Sequence, residues 1–276
     1  MTVVPAQVTG VEQSRVVSPS PALEVLAAAA LLGVREFYRV GGAHAIAALA
    51  YGTSTIPRVN KIVGPGNRYV TAAKKLVSFD CAIEFLAGPT ETVILSSAGN
   101  PEFIAADLIA QAEHDPEALA VFITTSRKLA ESVLAHTNRL ARENTTARLS
   151  LRRNGVALVT SSRQQALAWI NRIAPEHVTL GPEDVPFIHN AGSVFVGDYS
   201  AQAAGDYASG ANHVLPTAGW ARLRGGLHLL DFVKLIAVQQ LSSRGLQSIG
   251  KTVTCLADAE GLKAHAESIR LRYRVA

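Results

Sequence analysis

The chain has 276 residues, 48% of them hydrophobic, and a formal net charge of +4 at pH 7, enough to bury a substantial core in one large domain or two smaller ones. Its basic residues are spread along the chain without a run of interleaved aromatics, which argues against a nucleic-acid surface. No apolar run approaches the length of a membrane span and no basic-then-apolar leader opens the sequence, so a cytoplasmic protein is expected. Cys81 and Cys255 lie far apart without a Cys-x-x-Cys pattern, which predicts two buried free thiols instead of a disulfide or a thiolate metal site.

Apolar, β-branched runs alternate with Ala/Leu-rich segments of helical period. In chain order the pattern predicts a helix over 22–32, a strand over 36–40, a helix over 44–51, a strand over 59–63 and a helix over 67–77. It continues with a strand over 91–96, a helix over 101–114, a strand over 119–124, a helix over 126–143, and strands over 156–160 and 192–197. This is the alternation of βαβ units around a mainly parallel sheet, an α/β fold. The Gly/Ser/Asn-rich stretch 200–217 reads as a long loop, which in compact proteins is usually functional, and the remainder reads as helices with few strands. Boundaries near residues 95 and 230 give three parts: 1–95, 96–230 and 231–276.

Four groups of residues could carry chemistry. Gln111 and His114, three apart in a predicted helix, leave it on one face, where an amide oxygen and an imidazole could meet one ion or simply form a polar stripe. Glu176 and His177 enter a strand after Pro175; neighbours on an extended chain point to opposite sides, which suits two separate proton-transfer tasks. Asp206 and His213 lie in the glycine-containing stretch 205–217, which could aim a carboxylate and an imidazole into one pocket. Glu260 and His265 are five apart on a predicted helix and can share a broad face.

For a nucleotide, the Gly-x-Gly-x-x-Gly fingerprint is absent. Val63-Gly64-Pro65-Gly66-Asn67 follows a predicted strand and opens a helix, so it could present backbone amides to phosphate. Gly41-Gly42-Ala43-His44 stands at a similar junction. Both are placed at the carboxyl ends of predicted neighbouring strands, where α/β sheets generally bind ligands.

These segments, in this order, resemble the histidinol dehydrogenase family over nearly the whole chain. The phrases that carry the resemblance are the run beginning Gly41-Gly-Ala, Lys61-Ile-Val-Gly-Pro-Gly-Asn67, Ala87-Gly-Pro-Thr-Glu91, Gln111-Ala-Glu-His114, Ala174-Pro-Glu-His177 and Asn212-His-Val-Leu-Pro-Thr217. The resemblance implies incomplete Rossmann-like parallel-sheet domains with a small C-terminal helical segment. It implies zinc on Gln111, His114, Asp206 and His265, catalysis by Glu176 and His177, and substrate contacts from Thr90, His213 and Glu260. It also implies NAD as cofactor, with Asn67 matching a residue that touches it and His44 standing where the family usually has a glutamine near it. Thr90 replaces the serine of the family phrase, keeping the hydroxyl and adding a methyl group.

The implied reaction is oxidation of L-histidinol to L-histidine through the aldehyde, in a homodimer whose C-terminal helical segment completes the partner's active site. Measured against the family, the sequence starts part-way along, without the N-terminal portion of one α/β domain and a cofactor-contacting tyrosine. Three readings follow: a histidinol-oxidising enzyme, a zinc- and ligand-binding protein without turnover, or a related dehydrogenase of another amino alcohol or polyol.

Overall fold

The computed structural model of the protein describes residues 1–274. The chain divides into two units, Met1–Val233 and a C-terminal unit from Lys234 onward.

The first unit opens with α1 (Val3–Val8), β1 (Arg15–Val17), α2 (Leu23–Leu31), β2 (Glu36–Tyr38) and α3 (Gly42–Tyr51). It continues through β3 (Lys61–Ile62), α4 (Arg68–Val77) and β4 (Ala82–Ile83). Here the sheet is fragmentary: β1 pairs with β2, and β3 with β4, each pair parallel and separate. The strands predicted over 36–40 and 59–63 are therefore trimmed to three and two residues. A partner limits each of them. β1 runs out before Pro19, which has no amide proton to extend a ladder, and the Val59 amide donates to the Leu49 carbonyl of α3 instead of a strand. The apolar faces of α3 and α4 close over these short strands through Ile46, Leu49, Ala73 and Val77.

The second half of the unit is a continuous α/β sheet. It comprises β5 (Glu91–Leu95), α5 (Pro101–Ala112), β6 (Leu119–Thr124), α6 (Arg127–Leu140), α7 (Thr145–Asn154), β7 (Gly155–Val159), α8 (Arg163–Ile173), β8 (His177–Leu180) and β9 (Ser193–Val196). The strand order is β7-β6-β5-β8-β9, all parallel. Val93, Val121, Ile123 and Val178 pack against Ala166 and Ile170 of α8 on one face. Ile94, Ala120 and Phe122 pack against Ile104 and Leu108 of α5 and Val133 of α6 on the other. Burial on both faces is why β5 and β6 appear in the sequence as unbroken apolar runs.

Several expectations are corrected. The helix predicted over 101–114 stops at Ala112, because Asp115 precedes Pro116, whose ring disfavours helical backbone at the residue before it. The supposed loop 200–217 contains a short helix, α9 (Gln202–Tyr207). In the C-terminal unit α10 (Ser243–Ala259) and α11 (Lys263–Arg274) are broken apart at Gly261, which has φ of 75°. Cys81 is buried as expected, but Cys255 is exposed on α10. No helix among the described residues is long and apolar enough to cross a membrane.

Candidate active site

The predicted acid–base pair sits where α8 hands over to β8. Ala174, the α8 C-cap, takes left-handed backbone with φ of 55°, a region non-glycine residues seldom occupy. Pro175 follows, and the turn swings the Glu176 carboxyl inward just before the strand begins. Because His177 is the first strand residue and Glu176 lies outside it, strand alternation does not separate the two: Glu176 Oε2 comes within 3.7 Å of His177 Nδ1. The expectation that they face opposite sides is thereby overturned.

Both side chains are buried, and burial moves them in opposite senses. It pushes the Glu176 carboxyl up to about 7, against the pull of hydrogen bonds from the Thr90 hydroxyl at 2.6 Å and the Glu91 amide at 3.2 Å. It holds the His177 imidazole down to about 4, even though the Asp206 carboxylate favours the charged ring. Desolvation disfavours whichever form is charged, so it raises an acid and lowers a base. The outcome is a neutral histidine beside a carboxyl poised near neutrality. His177 Nδ1 has no hydrogen-bond partner.

Around this pair the structure gathers most of the predicted residues of the first unit. The fields of His114, Asp206 and His213 all reach His177. The Thr90 hydroxyl lies 3.3 Å from Gln111 Oε1 as well as against Glu176. His213 Nδ1–H donates to the Asp206 carbonyl at 2.9 Å, which leaves Nε2 of the neutral ring as an acceptor. The Thr217 hydroxyl accepts from the Gly88 amide at 2.5 Å, and the Glu91 carboxylate from the Ala218 amide at 3.0 Å; these bonds fasten the end of the 205–217 segment to the start of β5. In the sequence Glu91 carries no signal beyond its place at the end of Ala87-Gly-Pro-Thr-Glu91. Its carboxyl, with Oε2 buried and unpartnered and its pKa raised by burial, is a second acid next to Glu176.

The donors suit a zinc ion: an amide, an imidazole and a carboxylate. His114 Nε2 and Asp206 Oδ2 are 4.0 Å apart, too far for a hydrogen bond but within the span of an ion about 2.1 Å from each. Gln111 is buried with its Nε2 unpartnered, so its amide is incompletely bonded. Among the described residues no three His, Cys, Asp or Glu side chains converge as a metal-holding group. Glu260 and His265 belong to the C-terminal unit, where both are exposed and on different helices, Glu260 capping α10 and His265 opening α11.

The Glu176–His177 pair stands at the amino ends of β5 and β8, consistent with its expected place at the entrance to a strand, whereas α/β sheets generally bind ligands at the carboxyl ends. A cavity of about 420 Å³ does lie at that opposite edge, lined in part by Ser96, Asp107, Arg163 and Asp198, none of them a predicted site residue.

A larger cavity, about 840 Å³, lies over the fragmentary sheets and is lined by Gly41, Gly42, Gly64, Pro65, Gly66 and Asn67. The two glycine turns follow strands of separate sheets, not neighbouring strands of one, yet they face a common space. The α4 N-terminus is not open to phosphate as expected, because Asn67 Oδ1 already accepts from the Tyr69 and Val70 amides. The α3 N-terminus has no side-chain cap. A cradle of glycines with one uncapped helix start and the Asn67 amide fits a nucleotide. His44 is exposed on the first turn of α3 and does not line the cavity.

Residues 1–273 match the family model described as histidinol dehydrogenase. The chain belongs to the histidinol dehydrogenase family. It is 46% identical to the histidinol dehydrogenase of Methanosarcina mazei, and 48% identical to that of Methanothermobacter thermautotrophicus, with 99% of this chain covered in each case. A crystal structure of histidinol dehydrogenase from Elizabethkingia anophelis superposes on the whole chain with a TM-score of 0.94 at 37% identity. The chain spans about two thirds of these histidinol dehydrogenases: 66% of the first relative, 67% of the second and 66% of the crystallised chain.

Proposed function

We propose that the protein oxidises L-histidinol to L-histidine through the aldehyde in two NAD-linked steps, with zinc at the site. The observation that carries this reading is the buried Glu176–His177 pair, neutral base beside near-neutral acid, ringed by His114, Asp206 and His213. A zinc ion on Gln111, His114, Asp206 and His265 would supply charge that orients the amine and imidazole of the substrate, and bound NAD would supply the hydride acceptor. His177, unprotonated at neutral pH, takes the hydroxyl proton. Glu176, raised to about 7, is basic enough to take a proton from water at the aldehyde stage and acidic enough to return one. His213 Nε2 and Thr90 Oγ1 contact the substrate, as does Glu260. Asn67, which lines the larger cavity, serves the cofactor side, whereas His44 does not reach that cavity. Two copies form the working unit, with the C-terminal helical segment of each completing the site of the other.

A substrate lacking an imidazole would leave the half-buried His213 Nε2 unpaired, at a cost of up to about 1–3 kcal/mol, which disfavours another polyol or amino alcohol. A ligand-binding protein without turnover is the remaining reading. Titration of L-histidinol into zinc-loaded protein, followed by NADH formation from L-histidinol and NAD, separates these readings. Zinc-dependent binding that disappears in His114→Ala, together with NADH formation, is the expected result. Binding without NADH would support the turnover-free reading, and absence of binding with zinc retained would overturn both.

A further inference from the structure

Under the glycine turn of the larger cavity lies a buried ion pair that the proposed chemistry does not use. Lys74 of α4 and Glu84, just after β4, meet at 2.6 Å with side chains only 5% and 2% exposed. Lys74 Nζ also donates to the Gly64 carbonyl at 2.5 Å, and Glu84 Oε1 accepts from the Gly64 amide at 2.8 Å. Both backbone polar groups of one residue are thus held by the two ends of one ion pair. Gly64 has φ of 121°, outside the range that side-chain-bearing residues adopt readily, so the conformation being held is one that only glycine takes at little cost. Lys74 itself forms part of the cavity lining, beside Gly64, Pro65, Gly66 and Asn67. The grip extends further: Arg224 donates to the Glu84 carbonyl at 2.8 Å, stacks over the Phe85 ring and pairs with Asp231 at 2.6 Å.

A buried ion pair is a poor device for stability alone, since burying two charges offsets most of what their attraction returns, and apolar replacements of both are often neutral or stabilising. Its two backbone hydrogen bonds are specific to one turn geometry. We infer that Lys74 and Glu84 are positioning residues that fix the Gly64–Asn67 turn in its nucleotide-accepting shape and thereby set the affinity for NAD, an inference that rests on the cofactor side of the reading above. Neither residue touches the reacting atoms. Their effect passes through Gly64, so it falls on cofactor binding and spares zinc and histidinol.

The test is the double variant Lys74→Met/Glu84→Leu in the full chain, which removes both charges together and leaves neither stranded. Its melting temperature is expected to stay within about 4 °C of the parent's, because relief of the two buried charges offsets the loss of the Gly64 hydrogen bonds. NAD, titrated calorimetrically, should bind at least tenfold more weakly, while zinc content and L-histidinol affinity stay within twofold. In ligand-free protein, hydrogen exchange of the segment containing Gly64 should be at least tenfold faster than in the parent. NAD affinity within twofold of the parent would overturn the inference, and so would unchanged exchange at Gly64. Should the parent not bind NAD at all, the cofactor assignment falls, and the exchange rate alone then decides whether the pair holds the turn.

Discussion

Two walls of the first unit are built on opposite principles. Around Glu176 and His177 the protein works by desolvation: side chains buried with few partners, their proton affinities driven apart. Around the 840 Å³ cavity it works with backbone, through glycines, one uncapped helix start and an exposed asparagine. Residues that must exchange protons near neutral pH need shifted pKa values, and burial supplies the shift. A wall that admits a large polar ligand needs open space and free amides. Substitutions should therefore act in different currencies on the two sides, through proton chemistry on one and local shape on the other.

The sharpest contrast comes from His177→Asn. Removing the proton acceptor should lower NADH formation from L-histidinol by about 10²–10⁴ with zinc content and melting temperature nearly unchanged. A loss below tenfold would mean that the desolvated wall is not where the proton moves.

Glu176→Gln reads the same wall through stability. A carboxyl raised from its ordinary 4.5 to about 7 in the folded protein stabilises the fold fully below pH 4.5, and that contribution is lost as pH rises through 7. Replacing it with an amide removes the loss, so between pH 5 and pH 8 the variant should gain about 2–3 kcal/mol relative to the parent, measured by denaturant unfolding of ligand-free protein. His177, held down to about 4, acts in reverse: its contribution is present above its ordinary 6.5 and is lost as pH falls through 4. It is common to both proteins and cancels in the difference. A pH-independent difference would show that Glu176 is not desolvated as described.

On the backbone-built wall the expected effect is smaller. Asn67→Ala deletes the cap on the Tyr69 and Val70 amides, which should cost about 1 kcal/mol and lower the melting temperature by about 2–4 °C, with no pH dependence between 5 and 8. A pH-dependent loss would blur the distinction between the walls.

The same division decides what could be read from sequence. Strand β6 matches its predicted span, Leu119–Thr124, residue for residue, because a strand covered on both faces writes itself as one apolar run. Strands β1 and β4 escaped notice, since two or three residues with a single partner leave no periodicity. Helix α9 was hidden among residues typical of loops. In the site, Gln111, His114, Glu176, His177, Asp206 and His213 were legible as residue types in recognisable phrases. The 3.7 Å approach of Glu176 to His177 was not, because it depends on the left-handed backbone of Ala174. Nor was the Lys74–Glu84 pair, ten residues apart in sequence and joined only by the return of the chain through β4.

The placement of the acid–base pair at the amino edge of the five-stranded sheet has an electrostatic consequence. In a parallel α/β layer each helix runs opposite to the strands, so helix C-termini gather at that edge. Here α5 ends at Ala112, between Gln111 and His114, and α8 ends at Ile173, three residues before Glu176. The carbonyl ends of helices carry the negative pole of the macrodipole, equivalent to roughly half an elementary charge each and effective over about one turn. The edge therefore favours cations, whether a metal ion or the ammonium and imidazolium groups of a substrate, and repels phosphate. The opposite pole lies at the start of α3, beside the glycine cradle, so the polarity of the helices favours a cation on one wall and an anion on the other.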